Sequence, residues 1–227
     1  MQHPLSRRTY LDGVRAAAPI GVAAFAFGLS FGVLARSADM GRVAPVVMSA
    51  TTFAGSAQFA VASILGAGGG LVTAVVAAVL LNLRYGPIGL SAAGAFEGPW
   101  WKRALLAQFI VDESWAIAQR DDGRFDRYLL VGAGMLLLVC WTTGTAIGAV
   151  AGDLVADPES LGLDAAFPAL FLTLLWPQVR ERSRLLAALG GAAIALVLMP
   201  FTGPGIPIVA ASLACLVGAR NGARRPS

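Results

Sequence analysis

Three stretches of this sequence place polar or charged groups inside runs that are otherwise apolar, and a membrane-buried polar group has to find a partner or a function. The first is Phe53-Ala54-Gly55-Ser56-Ala57-Gln58-Phe59. Gly55 weakens a helix by about 1 kcal/mol relative to alanine, and the Gln58 amide cannot be satisfied by hydrocarbon. Together they predict an interrupted helix facing the protein interior, whose freed N–H groups could bind a carboxylate. Close helix packing with one interhelical hydrogen bond from Gln58 accounts for the same residues.

The second is Asn82-Leu83-Arg84-Tyr85, inside a span that is apolar from Leu71 to Leu90. An arginine at depth costs about 2.5–3.5 kcal/mol on insertion scales and usually faces a cavity or a partner. Its planar fork suits a bidentate bond to a carboxylate. Alternatively, Gly86 and Pro87 end the helix and Arg84 snorkels to an interface. The third is the pair Asp112 and Glu113 in Phe109-Ile-Val-Asp-Glu-Ser-Trp115. Adjacent helical residues point about 100° apart, so at most one faces a given cavity directly. A carboxylate shielded from water is a candidate proton carrier and a partner for an ammonium or for Arg84; on a surface helix the pair is simply solvated.

Asp164 and Pro168, in Gly162-Leu-Asp-Ala-Ala-Phe-Pro-Ala-Leu-Phe171, suit a helix cap and a helix break, with an ammonium site as the other role for Asp164. No phosphate-binding loop, Ser-His-Asp arrangement or Cys/His cluster is visible, so no enzyme activity, metal or cofactor is expected. His3 is terminal. Cys140 and Cys215 both sit in apolar runs and read as packing residues.

These groups need membrane-spanning elements to position them. The 227 residues are 57% hydrophobic and only 13% charged, against roughly 25% charge in soluble domains. A spanning helix takes about 20 apolar residues. Gly13 to Ala35, Val43 to Leu65, Leu71 to Ala93 and Leu129 to Ala151 meet that length, while Leu161 to Trp176, Leu185 to Met199 and Ile206 to Ala219 are shorter and bounded by proline or glycine. Pro99 to Gln119 carries Lys102, Arg103 and the acidic pair, and reads either as a crossing or as a re-entrant or surface helix. The fold class is therefore all-α, a polytopic transmembrane helix bundle of about 7–8 segments with broken helices. The first apolar run is too long for a removable signal peptide.

Charge orients the chain. Arg7, Arg8 and Arg15, the stretch Arg120 to Arg127, Arg180 to Arg184 and the tail Arg220 to Arg225 hold most of the arginines, whereas the loop Gly152 to Ser160 has only Asp153, Asp157 and Glu159. The arginine-bearing pieces, the N-terminus included, are predicted cytoplasmic. An even number of crossings then separates the N-terminus from Arg120. The net charge of +4 reads as topology and not as a nucleic-acid footprint. Gly28-x-x-x-Gly32 recurs as Gly144-x-x-x-Gly148, and Phe53-Ala-Gly has a counterpart in Phe167-Pro-Ala. Such spacing suggests a two-fold internal repeat, of the kind that places substrate between halves; chance matches among abundant Gly and Ala give the same pattern.

Ala18-Pro19-Ile20-Gly21, Phe27-Gly28, Phe31-Gly32, the Phe53-to-Phe59 block, Asn82-Leu83-Arg84, Asp112-Glu113 and Leu163-Asp164 with Phe167-Pro168-Ala169-Leu170-Phe171 together resemble the AzlC family, large subunits of branched-chain amino acid exporters. The resemblance runs from about residue 13 to 219. With the charge bias, the chain divides into residues 1–12 as a cytoplasmic segment, 13–219 as one transmembrane transport domain and 220–227 as a cytoplasmic basic tail. The resemblance further implies a small AzlD-type membrane partner, efflux of valine, leucine or isoleucine across the bacterial plasma membrane, and no nucleic-acid partner; a homo-oligomer is compatible. The residue after Asn82-Leu83-Arg84 is often histidine in that family and is Tyr85 here. A substrate site of Phe53, Gly55, Ser56, Gln58, Phe59, Asn82, Arg84 and Tyr85, with Asp112, Glu113 or Asp164 carrying charge, is the resulting expectation. A membrane scaffold whose polar residues glue it to a partner is the rival.

Overall fold

The structure, a computed structural model, describes residues 8–120, 123–152, 182–203 and 206–212, with residues 172, 176, 179 and 180. Helices make up the secondary structure of these residues, apart from one β-bridge between Gln119 and Phe125. They are α1 (Tyr10–Ser37), α2 (Val43–Thr51), α3 (Gly55–Gly66), α4 (Leu71–Asn82), α5 (Tyr85–Ala92), α6 (Trp100–Ala107), α7 (Asp112–Ala118), α8 (Arg127–Ala151), α9 (Arg182–Leu198) and α10 (Ile206–Ser212). A 3-10 turn, Ala93–Ala95, prolongs α5. Three stretches among the described residues are long and apolar enough to cross a membrane: Tyr10–Ser37, Leu71–Ala95 and Arg127–Ala151.

The bundle is built on α1 and α8, which run parallel and in close contact. Both start at the same end, where the Tyr10 and Tyr128 rings lie 5.0 Å apart and Arg8 lies 3.8 Å from Asp126. Their starts are secured locally. Thr9 and Asp12 form a capping box on α1, and the Asp126 carboxylate accepts from the Tyr128 and Leu129 amides of α8. Glycines let the backbones touch. A Cβ on Gly28 would strike the Trp141 carbonyl and one on Gly32 the Thr145 carbonyl; in return Gly144 faces the Phe25 carbonyl and Gly148 the Leu29 carbonyl. Adding 116 to 25, 28, 29 and 32 yields 141, 144, 145 and 148, so each contact has a reciprocal at that offset. Small-residue interfaces of this kind replace the hydrophobic drive that lipid does not supply.

The segment Val43 to Leu65, expected as a single crossing, folds back instead. Phe53 takes a positive φ of 44°, breaking the helix between α2 and α3. From there α3 runs beside α1 in the same direction: the Phe59 and Phe31 rings meet at 5.5 Å, and Gly66 lies against Ala38, where a Cβ would be 3.3 Å from the Ala38 Cβ. Both ends of the hairpin are thus at the Ser37 end of the bundle. Pro99 to Gln119 is a second hairpin, from the opposite end, and not a crossing. Phe96 and Ala118, at its two ends, share a cluster with Leu130 near the start of α8, while Phe109, near its tip, packs its carbonyl against Gly134. In both cases the helix stops at a local backbone break that length alone does not show: the left-handed Phe53 followed by Ala54 (φ −136°, ψ 88°), and the extended Val111 (φ −128°, ψ 168°). Between α1 and α8 only α4–α5 crosses the bundle, which leaves α1 and α8 parallel. The expected segments Leu161 to Trp176 and the residues beyond 212 lie outside the described residues, isolated positions apart.

The α2–α3 hairpin is locked onto α8 by a buried polar knot. Gln58, fully buried, donates to Ser49 Oγ at 2.8 Å, and its Oε1 accepts from Trp141 Nε1 at 3.1 Å and from the Ala54 amide at 3.3 Å. Ser49 and Thr145 hydroxyls are 2.9 Å apart. Phe31, Phe59 and Trp141 wrap this knot in aromatic surface. On the other side of α3, Val61 and Ile64 meet Ala74 and Ala77 of α4, with Val209 of α10 beside them.

Two variants test this core. Gly32→Val should cost about 1–3 kcal/mol by forcing two backbones apart, a fall of roughly 2–12 °C in the thermal midpoint of detergent-solubilised protein, while Gly89→Ala, with nothing within 4 Å of its added carbon, should leave the midpoint in place. Gln58→Leu strips partners from Trp141, Ser49 and the Ala54 amide, so a loss of about 1–3 kcal/mol is expected from the groups left unsatisfied. An unchanged midpoint would show that the knot contributes nothing.

Candidate functional site

The two hairpins enter from opposite ends and meet at their tips, beside the break between α4 and α5 in the second crossing element. Gln108, at the end of α6, donates through Nε2 to the carbonyls of Thr51 at 2.9 Å and Ala50 at 3.2 Å. These are carbonyls freed where α2 stops. One turn later, Asp112 opens α7 and its Oδ2 lies 2.9 Å from Arg84 Nη2 at the junction of α4 and α5. Trp115 Nε1 then donates to Ser91 Oγ at 2.9 Å, so α5 and α7 run side by side in the same direction. Ser114 caps the start of α7, accepting from the Val111 amide at 2.9 Å and donating to the Phe109 carbonyl at 2.7 Å.

Of the residues singled out from sequence, Arg84 and Asp112 come together directly. Their side chains are 39% and 45% exposed, so the pair lies at the rim of the packed interior and is not sealed in it. The guanidinium also sits 5.2 Å from the centre of the Tyr85 ring and donates weakly to its hydroxyl at 3.4 Å. Glu113, next along the helix, is exposed and forms no ion pair within 4 Å among the described residues. Phe53, Ser56, Gln58 and Phe59 belong to the interior, all less than 9% exposed. The Gln58 amide is used up within the protein, on both its oxygen and its nitrogen. Gly55 packs on Trp141, where a Cβ would come within 2.9 Å of the indole. No hydrogen bond or ion pair among the described residues joins the Gln58 knot to Arg84; the link runs through Gln108, whose acceptors lie next to Ser49 in α2. Asp164 and Pro168 lie outside the described residues.

Donors without acceptors collect at the start of α3. It begins with no side-chain cap, and the amides of Gly55, Ser56 and Ala57 find no acceptor among the described residues. Ser56 Oγ is buried and unpartnered, as is Asn82 Oδ1 at the end of α4. A helix N-terminus carries about half a positive charge, so this corner favours an anion. Across the tips, the charges of Arg84, Asp112 and Glu113 sum to one negative, which favours a cation. The pairing of a donor-rich corner with a net-negative corner suits a zwitterion.

Gln108, Ser49, Thr145 and Trp141 were not singled out from sequence. Gln108 carried the signal that identified Gln58, an amide inside the apolar run Leu105-Leu-Ala-Gln-Phe-Ile-Val111. Ser49, Thr145 and Trp141 are ordinary residues for a membrane helix, and only their contacts distinguish them.

Comparison with known proteins agrees with this architecture's sequence signature. The model of the family described as AzlC protein matches residues 19–155, more than half of the chain. Among relatives, the branched-chain amino acid transport protein AzlC of Bacillus subtilis is 27% identical over 225 residues, covering 94% of this chain and 87% of its own. An uncharacterized membrane protein of Archaeoglobus fulgidus is 31% identical over 215 residues, or 93% and 95% of the two chains. Inner membrane protein YgaZ of Escherichia coli is 28% identical over 196 residues, 81% and 80%. No solved structure matches. On the family match and on a relative above 30% identity across nearly the whole chain, this membrane protein belongs to the AzlC family.

Proposed function

We propose that the chain is the large subunit of a secondary transporter that exports branched-chain amino acids, working with a small AzlD-type membrane subunit in a bacterial plasma membrane. The observation that carries this reading is the meeting of two broken hairpins from opposite ends of the bundle beside the Arg84–Asp112 pair. Irregular backbone at membrane depth is tolerated where it is buried in protein or lines a cavity, and transporters use such breaks to hold substrates. Membership of a family that includes a named branched-chain amino acid transport protein supports the substrate class.

The substrate carboxylate lies at the start of α3, on the amides of Gly55 and Ser56 and the Ser56 hydroxyl, with Asn82 and Arg84 alongside. Gln58 acts by holding the break open against Trp141, and Phe53 and Phe59 back the apolar pocket. The ammonium, or a coupling proton, takes Glu113 or Asp112, with Asp164 and Pro168 serving the second half of the chain. Tyr85 shields the guanidinium and replaces any histidine chemistry at that position. The reciprocal contacts of α1 and α8 support two parallel repeats. The Tyr10 end carries Arg8, Arg15, Arg120, Arg124 and Arg127 against Arg36 and Arg42 at the other, which favours a cytoplasmic N-terminus.

Vesicles containing the reconstituted subunit pair and loaded with labelled leucine should lose label faster than empty-membrane controls; equal loss with inserted protein would sink the reading. Valine, isoleucine and methionine should compete within about two orders of magnitude, because each methylene discriminates by only about 1–3 kcal/mol. Arg84→Ala should lower efflux at least tenfold while the subunits stay assembled. A scaffold would instead lose the complex. With an inward proton gradient imposed, efflux should accelerate in the parent and not in Glu113→Gln if that carboxylate carries the proton; acceleration in both would remove Glu113 from the coupling role.

A further inference from the structure

The two hairpins are held in different ways, and the difference identifies a moving part. The α2–α3 hairpin is fixed to α8 by Gln58, Ser49, Thr145 and Trp141, all within the packed core. In the second hairpin, α7 is anchored by Ser114 and Ala118, both fully buried, and by Asp112 on Arg84. Its other arm is held more lightly, by the partly buried Leu106 against the cluster of Ala92, Phe96, Ala118 and Leu130. None of the eight residues of α6 is buried. Beyond its tip, α6 joins the first hairpin through one side chain, Gln108, on the Thr51 and Ala50 carbonyls.

Those two carbonyls are the end of a helix that stops within the bundle, and unpaired carbonyls there are costly unless protein or water meets them. Ala50 and Thr51 are themselves exposed, and Gln108 is half-buried. The contact therefore lies at the edge of the packing, and opening it leaves fewer buried groups unpaired than opening the Gln58 knot would. The contact also closes the gap between the tips of hairpins that open to opposite ends.

We propose that Gln108 is the positioning residue that latches the two hairpin tips, and that its release, with α6 swinging away from α2, opens the way between the two faces. This rests on the transport reading above for its consequence, and on the hairpin geometry alone for its mechanism. Closed, the latch holds Asp112, one turn on, against Arg84. Open, it uncovers the start of α3 to the Tyr10 end.

Two measurements test it in the full chain carrying Cys140→Ser and Cys215→Ser. In the first, Thr52→Cys and Ala107→Cys, both exposed and adjacent to the latch, are bridged by a short bis-methanethiosulfonate with Gln108 left intact. Leucine efflux should fall at least tenfold and return on reduction; unchanged efflux from the bridged protein would overturn the proposal. Absence of efflux before bridging would instead fail the transport reading. The second needs no substrate. A membrane-impermeant maleimide added from the Tyr10 end should modify Ser56→Cys, at the start of α3 and buried in the latched arrangement, about tenfold faster when Gln108→Leu is also present, the scale set by losing one or two hydrogen bonds of ordinary net strength. Equal labelling rates would show that Gln108 holds nothing shut. Gln108→Asn, which keeps a shorter amide donor, should fall between the two.

Discussion

A helix that stops inside an apolar bundle leaves carbonyls at one end and amides at the other, and hydrocarbon offers them nothing. Much of this structure answers that constraint. The Ala54 amide is met by Gln58, the Ala50 and Thr51 carbonyls by Gln108, and the Val111 amide and Phe109 carbonyl by Ser114. Each side chain that satisfies a break also ties one element to another or sets where the next helix begins. The start of α3 stands apart, because its first amides and the Ser56 hydroxyl are left with capacity.

Those breaks require a rigid frame, which the α1–α8 pair supplies. Backbone-to-backbone contact through Gly28, Gly32, Gly144 and Gly148 leaves little room for sliding. Trp141 belongs to that frame and to the first hairpin at once: its carbonyl meets Gly28, its indole meets Gly55, and its N–H meets Gln58. The frame and the first hairpin thereby behave as one body. The second hairpin touches that body closely along α7, through buried Ser114 and Ala118, and lightly along α6, none of whose residues is buried.

Electrostatics follows the same division. The donor-rich start of α3 is on the rigid side. Arg84 is on the crossing element α4–α5, and Asp112 and Glu113 are on the second hairpin. The pair spans two bodies at 2.9 Å with both side chains partly exposed, and ties them by a single contact. It is suited to forming and breaking, which a buried pair is not.

Helical membrane character, the polar interruptions at Gly55–Gln58, Asn82–Arg84 and Asp112–Glu113, and the glycine pairs of α1 and α8 were all legible in the residue types. Each depends on local composition: apolar run length, a helix-weak residue, or a charge that lipid would reject. Val43 to Leu65 shows the limit. Its composition fits a straight crossing, and nothing local tells a broken helix that continues from one that turns back. Only the contact of Gly66 with Ala38 decides it, because the direction taken after Phe53 is set by what α3 can pack against. The roles within the site divide likewise. Sequence identified Gln58 and Arg84 as polar groups in need of partners, but tertiary structure assigned Gln58 to Trp141 and Ser49, Arg84 to Asp112, and the joining of the tips to Gln108. An amide or a guanidinium declares its demand for a partner in its own chemistry, whereas the identity of that partner is a matter of distance between segments far apart in the chain.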